Sequence, residues 1–113
     1  MRRLLALLAA APIVGLSAAV VQAGGQLQLT PRQTILEANR HLLADGWVPA
    51  PQQTPSARER QWSAVSLQSL SACAGTGVGY CRFDYQRNQQ RLSVVTVPSQ
   101  PGRASVGRVD RWW

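Results

Sequence analysis

The chain has 113 residues and a formal net charge of +7, with two cysteines and one histidine. This length allows one small domain with a modest hydrophobic core. One histidine and two cysteines supply too few of the usual ligands for a four-ligand zinc site, and the five acidic residues are too scattered to indicate a paired-carboxylate hydrolase.

Residues 1–23 have the three-part pattern of a cleavable secretory signal. Two arginines at 2–3 precede an apolar run over 4–21, and small residues predict cleavage after Ala23, with Ala19 as the second choice. The alternative is an uncleaved membrane anchor, because an 18-residue apolar run is at the lower limit for a membrane span. We predict export through the secretory pathway to a periplasmic or extracellular location.

Residues 24–113 then form the predicted mature chain, a single small α+β domain. Two of the twelve arginines lie in the leader, and the chain has no lysine, so ten arginines face five acidic residues and leave a balance of +5. A basic surface attracts acidic polymers or anionic lipid, although it also serves solubility.

The first element of this domain is a predicted helix over 31–45. Thr30 is a good N-cap and forms a capping-box pattern with Gln33, while Gly46 is suited to the position after the last turn. Four apolar residues recur at helical spacing: Ile35, Leu36, Leu42 and Leu43.

The stretch between the helix and the second half is harder to assign. Residues 47–48 fit either packing against the helix or a short strand, and the prolines at 49, 51 and 55 predict an exposed loop over 49–56. Residues 57–70 carry both helical and alternating spacing. They weakly favour a short helix that leads into a strand near 69–74.

The second half has the alternation of a β-sheet. Over 80–86, Cys81, Phe83 and Tyr85 share one face, and Arg82, Asp84 and Gln86 share the other. Further strands are predicted over 92–97 and 104–112. The fold class is therefore α+β, with one N-terminal helix packed on a three- to four-stranded antiparallel meander.

The turn over 87–91 leaves the strand register open. A two-residue loop at 88–89 pairs Phe83 with Val94 and Tyr85 with Leu92, whereas a three-residue loop pairs Phe83 with Val95. A slip of one residue exchanges the faces of the second strand.

Cys73 and Cys81 enclose a glycine-rich loop, and in an exported chain so close a pair predicts a disulfide. A two-thiol metal site would need further ligands, and His41 is the only histidine. The glycines allow a sharp turn. An anion-binding nest is the alternative, although the loop leads into a strand rather than a helix.

No catalytic residue is predicted. His41 is the sole group suited to proton transfer near neutral pH, and the serines at 63, 66, 69 and 71 lie in no nucleophile-elbow motif. A small hydrolase would need His41 beside a serine or carboxylate in a cleft. We therefore predict a non-enzymatic protein without cofactor or metal.

Arginines beside exposed aromatic residues suit the binding of polyanions, glycans or proteins. The candidate binding surface joins the loop tip to one strand and the end of the chain: Gly75, Thr76, Gly77, Arg82, Arg111, Trp112 and Trp113. Trp47 and Trp62 are predicted in the core. The expected partner is a protein or an acidic envelope component, not nucleic acid, and membrane contact is expected only with an uncleaved leader.

Three segments carry a resemblance: residues 46–49, the Cys-Ala-Gly-Thr-Gly-Val-Gly-Tyr-Cys run over 73–81, and residues 92–96 with a terminal tryptophan. Together they resemble a group of small exported bacterial proteins of uncharacterised function. The resemblance implies fold and export only. The order of elements is also similar to small periplasmic inhibitor and assembly modules, a fold-level analogy.

The sequence therefore predicts a secreted or periplasmic binding module with a disulfide between Cys73 and Cys81. The alternative is an envelope-associated structural protein held by an uncleaved leader.

Overall fold

The computed structural model describes Leu27 and residues 29–74 and 79–113. The predicted leader at 1–23 and the loop tip at 75–77 lie outside these residues. The elements, in chain order, are α1 (Ile35–Ala44), β1 (Val48–Pro49), α2 (Ala57–Ser63), β2 (Leu70–Cys73), β3 (Cys81–Arg87), β4 (Gln90–Pro98) and β5 (Gly107–Trp112). The fold is α+β with one antiparallel sheet, but the described part has two helices and five strands rather than one helix and three or four strands.

Helix α1 begins four residues later than predicted, because Thr34 rather than Thr30 is its N-cap. Thr34 Oγ1 accepts from Glu37 N and Glu37 Oε1 accepts from Thr34 N, both at 3.2 Å, so the capping box is complete. The preceding residues instead pair with β5. Arg32 N donates to Val109 O and Val109 N donates to Gln33 O, each at 2.7 Å. This tertiary pairing holds Arg32 at a positive φ of 73°, which is incompatible with a helix.

Helix α1 buries a narrower stripe than its apolar spacing predicts. Ile35, Ala38 and Leu42 belong to the core, whereas Leu36 and Leu43 are exposed. Gly46 ends the helix at φ 90°, as the sequence indicates, and the chain then turns so that the buried Trp47 packs into the core.

The sheet has the order β1-β3-β4-β5, with β2 paired to the same edge of β3 as β1. Strand β1 begins at Val48, where a short strand was one of the two predicted alternatives, and it extends into the predicted loop, where Pro49 pairs with Tyr85. Proline fits there because β1 is an edge strand, where a missing N–H donor leaves no gap in the ladder. Strands β3, β4 and β5 form the antiparallel meander.

The turn between β3 and β4 is the two-residue loop at Asn88–Gln89. Phe83 therefore pairs with Val94 and Tyr85 with Leu92. These residues lie on the face that α1 covers, which we call the inner face, and they form the core with the buried side of α1. Trp62 is partly buried against the same core, so both internal tryptophans pack as predicted.

The disulfide between Cys73 and Cys81 is present and joins residues that are directly paired across β2 and β3, with Cα atoms 4.0 Å apart. Helix α2 and β2 lie where the sequence weakly indicated a short helix leading into a strand. The bond therefore closes the loop between two neighbouring strands of the sheet. It is compatible with an oxidising, exported location.

Candidate binding face

The sheet face opposite α1, here called the outer face, brings several predicted site residues together. Residues paired directly across an antiparallel sheet point to the same face. One row runs from Arg82 through Val95 to Arg111, across β3, β4 and β5. The structure therefore places Arg82 and Arg111 in one row, as parts of a single surface.

Trp113 continues this face beyond the last residue of β5. Its backbone exchanges two hydrogen bonds with Ser93, N–H to O at 2.9 and 3.1 Å, so it lies in the row of Ser93 and Asp84. Its side chain is 63% exposed. The indole is thus fixed at its backbone and open to solvent, on the same face as Arg111.

Trp112 does not belong to this face. It pairs with Val94 and is partly buried against the core on the inner side of the sheet. Neighbouring residues of a strand point to opposite faces, so the two terminal tryptophans cannot share one surface. Of these two predicted site residues, the structure places only Trp113 on the outer face.

The outer face is strongly basic. Register places four arginines on it, from three consecutive strands: Arg82, Arg91, Arg108 and Arg111. Arg108 and Arg111 are an odd number of residues apart and yet share the face, because the ladder between β4 and β5 has an irregularity between Val95 and Thr96. A regular strand would have turned one of these two arginines to the core.

Asp84 is the residue on this face that the sequence analysis missed. The alternation placed it on one face with Arg82 and Gln86 and gave no sign of its burial, yet only 1% of its surface is exposed. Four side chains donate to its carboxylate: Gln52 Nε2 (3.4 Å) and Ser93 Oγ (2.5 Å) to Oδ1, and Arg82 Nε (3.0 Å) and Ser71 Oγ to Oδ2. In the sequence, only the serines of β2 and β4 that donate to Asp84, Ser71 and Ser93, could have indicated this cluster.

The Asp84 cluster positions one arginine and balances part of its charge. Arg82 donates from Nε to Asp84 and from Nη2 to Gln52 Oε1 at 3.2 Å, so its guanidinium is held from two sides. Arg111 is different: its side chain is 63% exposed, and its ion pair with Asp110 spans 4.0 Å at the surface. Such an exposed pair contributes little, so Arg111 remains available to an anion.

At its β5 side the outer face meets a shallow cavity of about 440 Å³. Its charged lining consists of Arg108 and Asp110 from β5 and Arg32 from the turn before α1, so arginines outnumber carboxylates there. Arg108 Nη1 donates to Arg32 O at 2.9 Å, which ties that turn to the sheet edge. The basic surface therefore extends past β5 onto the turn.

The glycine-rich loop can be described only at its base, since Gly75, Thr76 and Gly77 lie outside the described residues. Ala74 N donates to Tyr80 O at 2.6 Å. Gly79 has φ 84°, and a Cβ there would lie 2.7 Å from Trp62 Nε1. Glycine is required at 79 by close packing and backbone angle, which is a structural role.

A second cavity, of about 400 Å³, lies between α2 and β2 and is lined by Trp62, Cys73 and Glu59 among others. Glu59 is already engaged: its carboxylate accepts from Ser56 N at 2.8 Å and from Cys73 N at 2.9 Å. These hydrogen bonds hold the pKa of Glu59 below its usual value. The carboxylate therefore caps α2 and the edge of β2.

His41 lies exposed in the last turn of α1. Its side chain forms no hydrogen bond with a serine or a carboxylate of the residues that the structure describes. Within the same residues, no cluster of three or more histidine, cysteine, aspartate or glutamate side chains could hold a metal ion. Neither described helix has the length and apolar character needed to cross a bilayer.

Comparison with protein-family models, with curated proteins and with solved structures gives no match. The function is therefore inferred from the outer face and its chemistry.

Proposed function

We propose that the chain is an exported, non-enzymatic binding module that holds an acidic envelope component on its outer face. One observation supports the proposal: three adjacent strands present four arginines and the exposed Trp113 on one side of the sheet. The carboxylate of Asp84 lies on the same side but is buried. Such a surface attracts anionic partners and raises their rate of association.

Export supports the choice of partner. The leader pattern over 1–23 predicts secretion, and the disulfide between Cys73 and Cys81 suits an oxidising compartment. An exported domain meets anionic polymers and lipids of the envelope.

The test uses co-sedimentation of the complete chain with cell envelopes isolated from the producing organism. The variant Arg91→Glu/Arg111→Glu reverses two exposed charges of the outer face and leaves the Asp84 cluster intact. The control is Arg40→Glu, a charge reversal on α1, on the other side of the sheet. We expect the double variant to lower the bound fraction at least about fivefold and the control to retain binding.

Two results would contradict the proposal: full retention of binding by the double variant, or an equal loss with Arg40→Glu. Reversing Arg82 is avoided, because a second carboxylate beside Asp84 would destabilise the fold.

A further inference from the structure

We infer that the ligand of the outer face is an extended anionic polysaccharide, whose sugar rings stack on Trp113 and whose carboxylates pair with the arginines along β5. This inference rests on the proposed function and specifies the chemistry of the partner.

The surface along β5 is long compared with a single small anion. Trp113, Arg111 and Arg108 lie on the same face along one strand, and the face then continues into the cavity beside Arg32. Trp113 follows Arg108 by five residue steps, which is roughly 15 Å at the rise of a β-strand. A single carboxylate or monosaccharide cannot span that distance, whereas a chain-like ligand can.

Trp113 is fixed to Ser93 by two backbone hydrogen bonds, yet the residue is 63% exposed to solvent. An exposed indole on a fixed backbone offers a flat apolar plane, with one N–H donor at its edge. The apolar face of a sugar ring fits such a plane, and the ring hydroxyls can reach the polar groups around it.

The cations of the outer face are arginines. Arginine forms bidentate hydrogen bonds with carboxylates, and its planar guanidinium group fixes the direction of the anion. Arg111 is exposed beside Trp113 in the direction of the cavity, and Arg91 adds a further exposed cation on β4. A carboxylated sugar chain complements both the aromatic plane and the cations.

The face fits other anionic partners less well. The centre of a protein interface is apolar, but Val95 is buried in this face, Val97 is partly buried, and the other surrounding side chains are arginine, glutamine and serine. A membrane-binding surface inserts several apolar side chains into the bilayer, whereas this face exposes Trp113 as its only large apolar side chain among the described residues of β3, β4 and β5 and of the chain end.

The experiment titrates the full chain, expressed with its own leader and purified in the oxidised form, with oligogalacturonate long enough to span the roughly 15 Å between Trp113 and Arg108. Poly-glutamate, neutral dextran and phosphatidylglycerol vesicles serve as comparison probes. Calorimetry gives the affinity, and tryptophan fluorescence reports contact with the indole. The variants are Trp113→Ala and Arg111→Gln, with Arg40→Gln as the matched control, and circular dichroism verifies folding.

We expect oligogalacturonate to bind more tightly than poly-glutamate. Trp113→Ala should weaken that binding about fivefold and Arg111→Gln roughly tenfold, while Arg40→Gln should have no effect. If poly-glutamate or vesicles bind as tightly, with no effect of Trp113→Ala, the inference of a polysaccharide ligand is wrong. The proposed binding of an anionic partner by the outer face is then still supported. If none of the anionic probes binds, or Arg111→Gln changes nothing, the proposed function fails as well.

Discussion

At the scale of single residues, Asp84 is a buried carboxylate, and each of its two oxygens accepts two hydrogen bonds. A buried charge is tolerated only where hydrogen bonds replace its hydration, and four side chains from different parts of the chain do so here. Removing one partner of such a network leaves the others unpaired, and the cost exceeds the net value of one hydrogen bond.

We predict that Asp84→Asn destabilises the protein by about 1–3 kcal/mol, because Arg82 loses its counter-charge and one serine loses its acceptor. Urea unfolding followed by circular dichroism measures this change. Asp110→Asn, at an exposed position, is the control and should stay within about 0.5 kcal/mol. Equal stability of the two variants would show that the Asp84 cluster does not form in solution.

Tyr85 gives a second residue-scale prediction, at high pH. Burial raises the pKa of Tyr85 to about 12, against an ordinary value near 10, although a hydrogen bond from Ser69 (3.0 Å) acts in the opposite direction. Between these values the unfolded chain releases the phenolic proton and the folded chain keeps it. Stability should therefore fall by roughly 1–2 kcal/mol as the pH rises from about 9.5 to 12.

The variant Tyr85→Phe has no proton to release and should lack this alkaline loss. It should be less stable near neutral pH by about 1 kcal/mol, because Asn39 Oδ1 loses the donor that Tyr85 Oη provides at 2.7 Å. The urea midpoints of the original protein and of Tyr85→Phe, measured across this pH range, test this prediction. A parallel decline in both proteins would assign the alkaline loss to another group.

At the scale of elements, local patterns predicted the strands better than the helix boundary. The alternation over 80–86 predicted β3, the apolar run over 92–97 lies within β4, and the close spacing of the two cysteines predicted the disulfide. The start of α1 was wrong because two capping boxes were available, at Thr30 and at Thr34, and pairing with β5 selected the second. Such long-range pairing leaves no local signal in the sequence.

The same limit explains the errors at the binding face. Whether Arg108 and Arg111 share a face depends on an irregularity between β4 and β5, and no residue pattern indicates it. Asp84 is buried because Gln52, from a loop, folds over it. The candidate residues could be chosen from the sequence, but their grouping required the register.

The assignment of the α1 cap leads to a prediction with a matched control. Thr34→Ala removes the acceptor for Glu37 N and should cost about 1 kcal/mol of stability. Thr30→Ala, the alternative cap, should change stability by less than about 0.5 kcal/mol, since α1 does not begin there. Thermal unfolding of both variants is the measurement, and a larger loss at Thr30 would restore the earlier helix start.

At the scale of the whole molecule, the sheet separates two kinds of chemistry. Its inner face carries the core and α1, with the buried Phe83 and Tyr85. Its outer face carries the arginines and Trp113. Helix α1 needs the inner face to bury its apolar side, and it leaves the outer face uncovered. Four of the ten arginines of the predicted mature chain lie on this outer face.

The most direct measurement of this claim is a map of amide chemical shifts on the oxidised protein, titrated with oligogalacturonate. We expect changes to concentrate at Arg82, Arg91, Arg111 and Trp113, and to fade as salt is added. Amides of α1 should stay unchanged. Shifts spread evenly over both faces, or confined to α1, would contradict the proposal that the outer face is the binding surface.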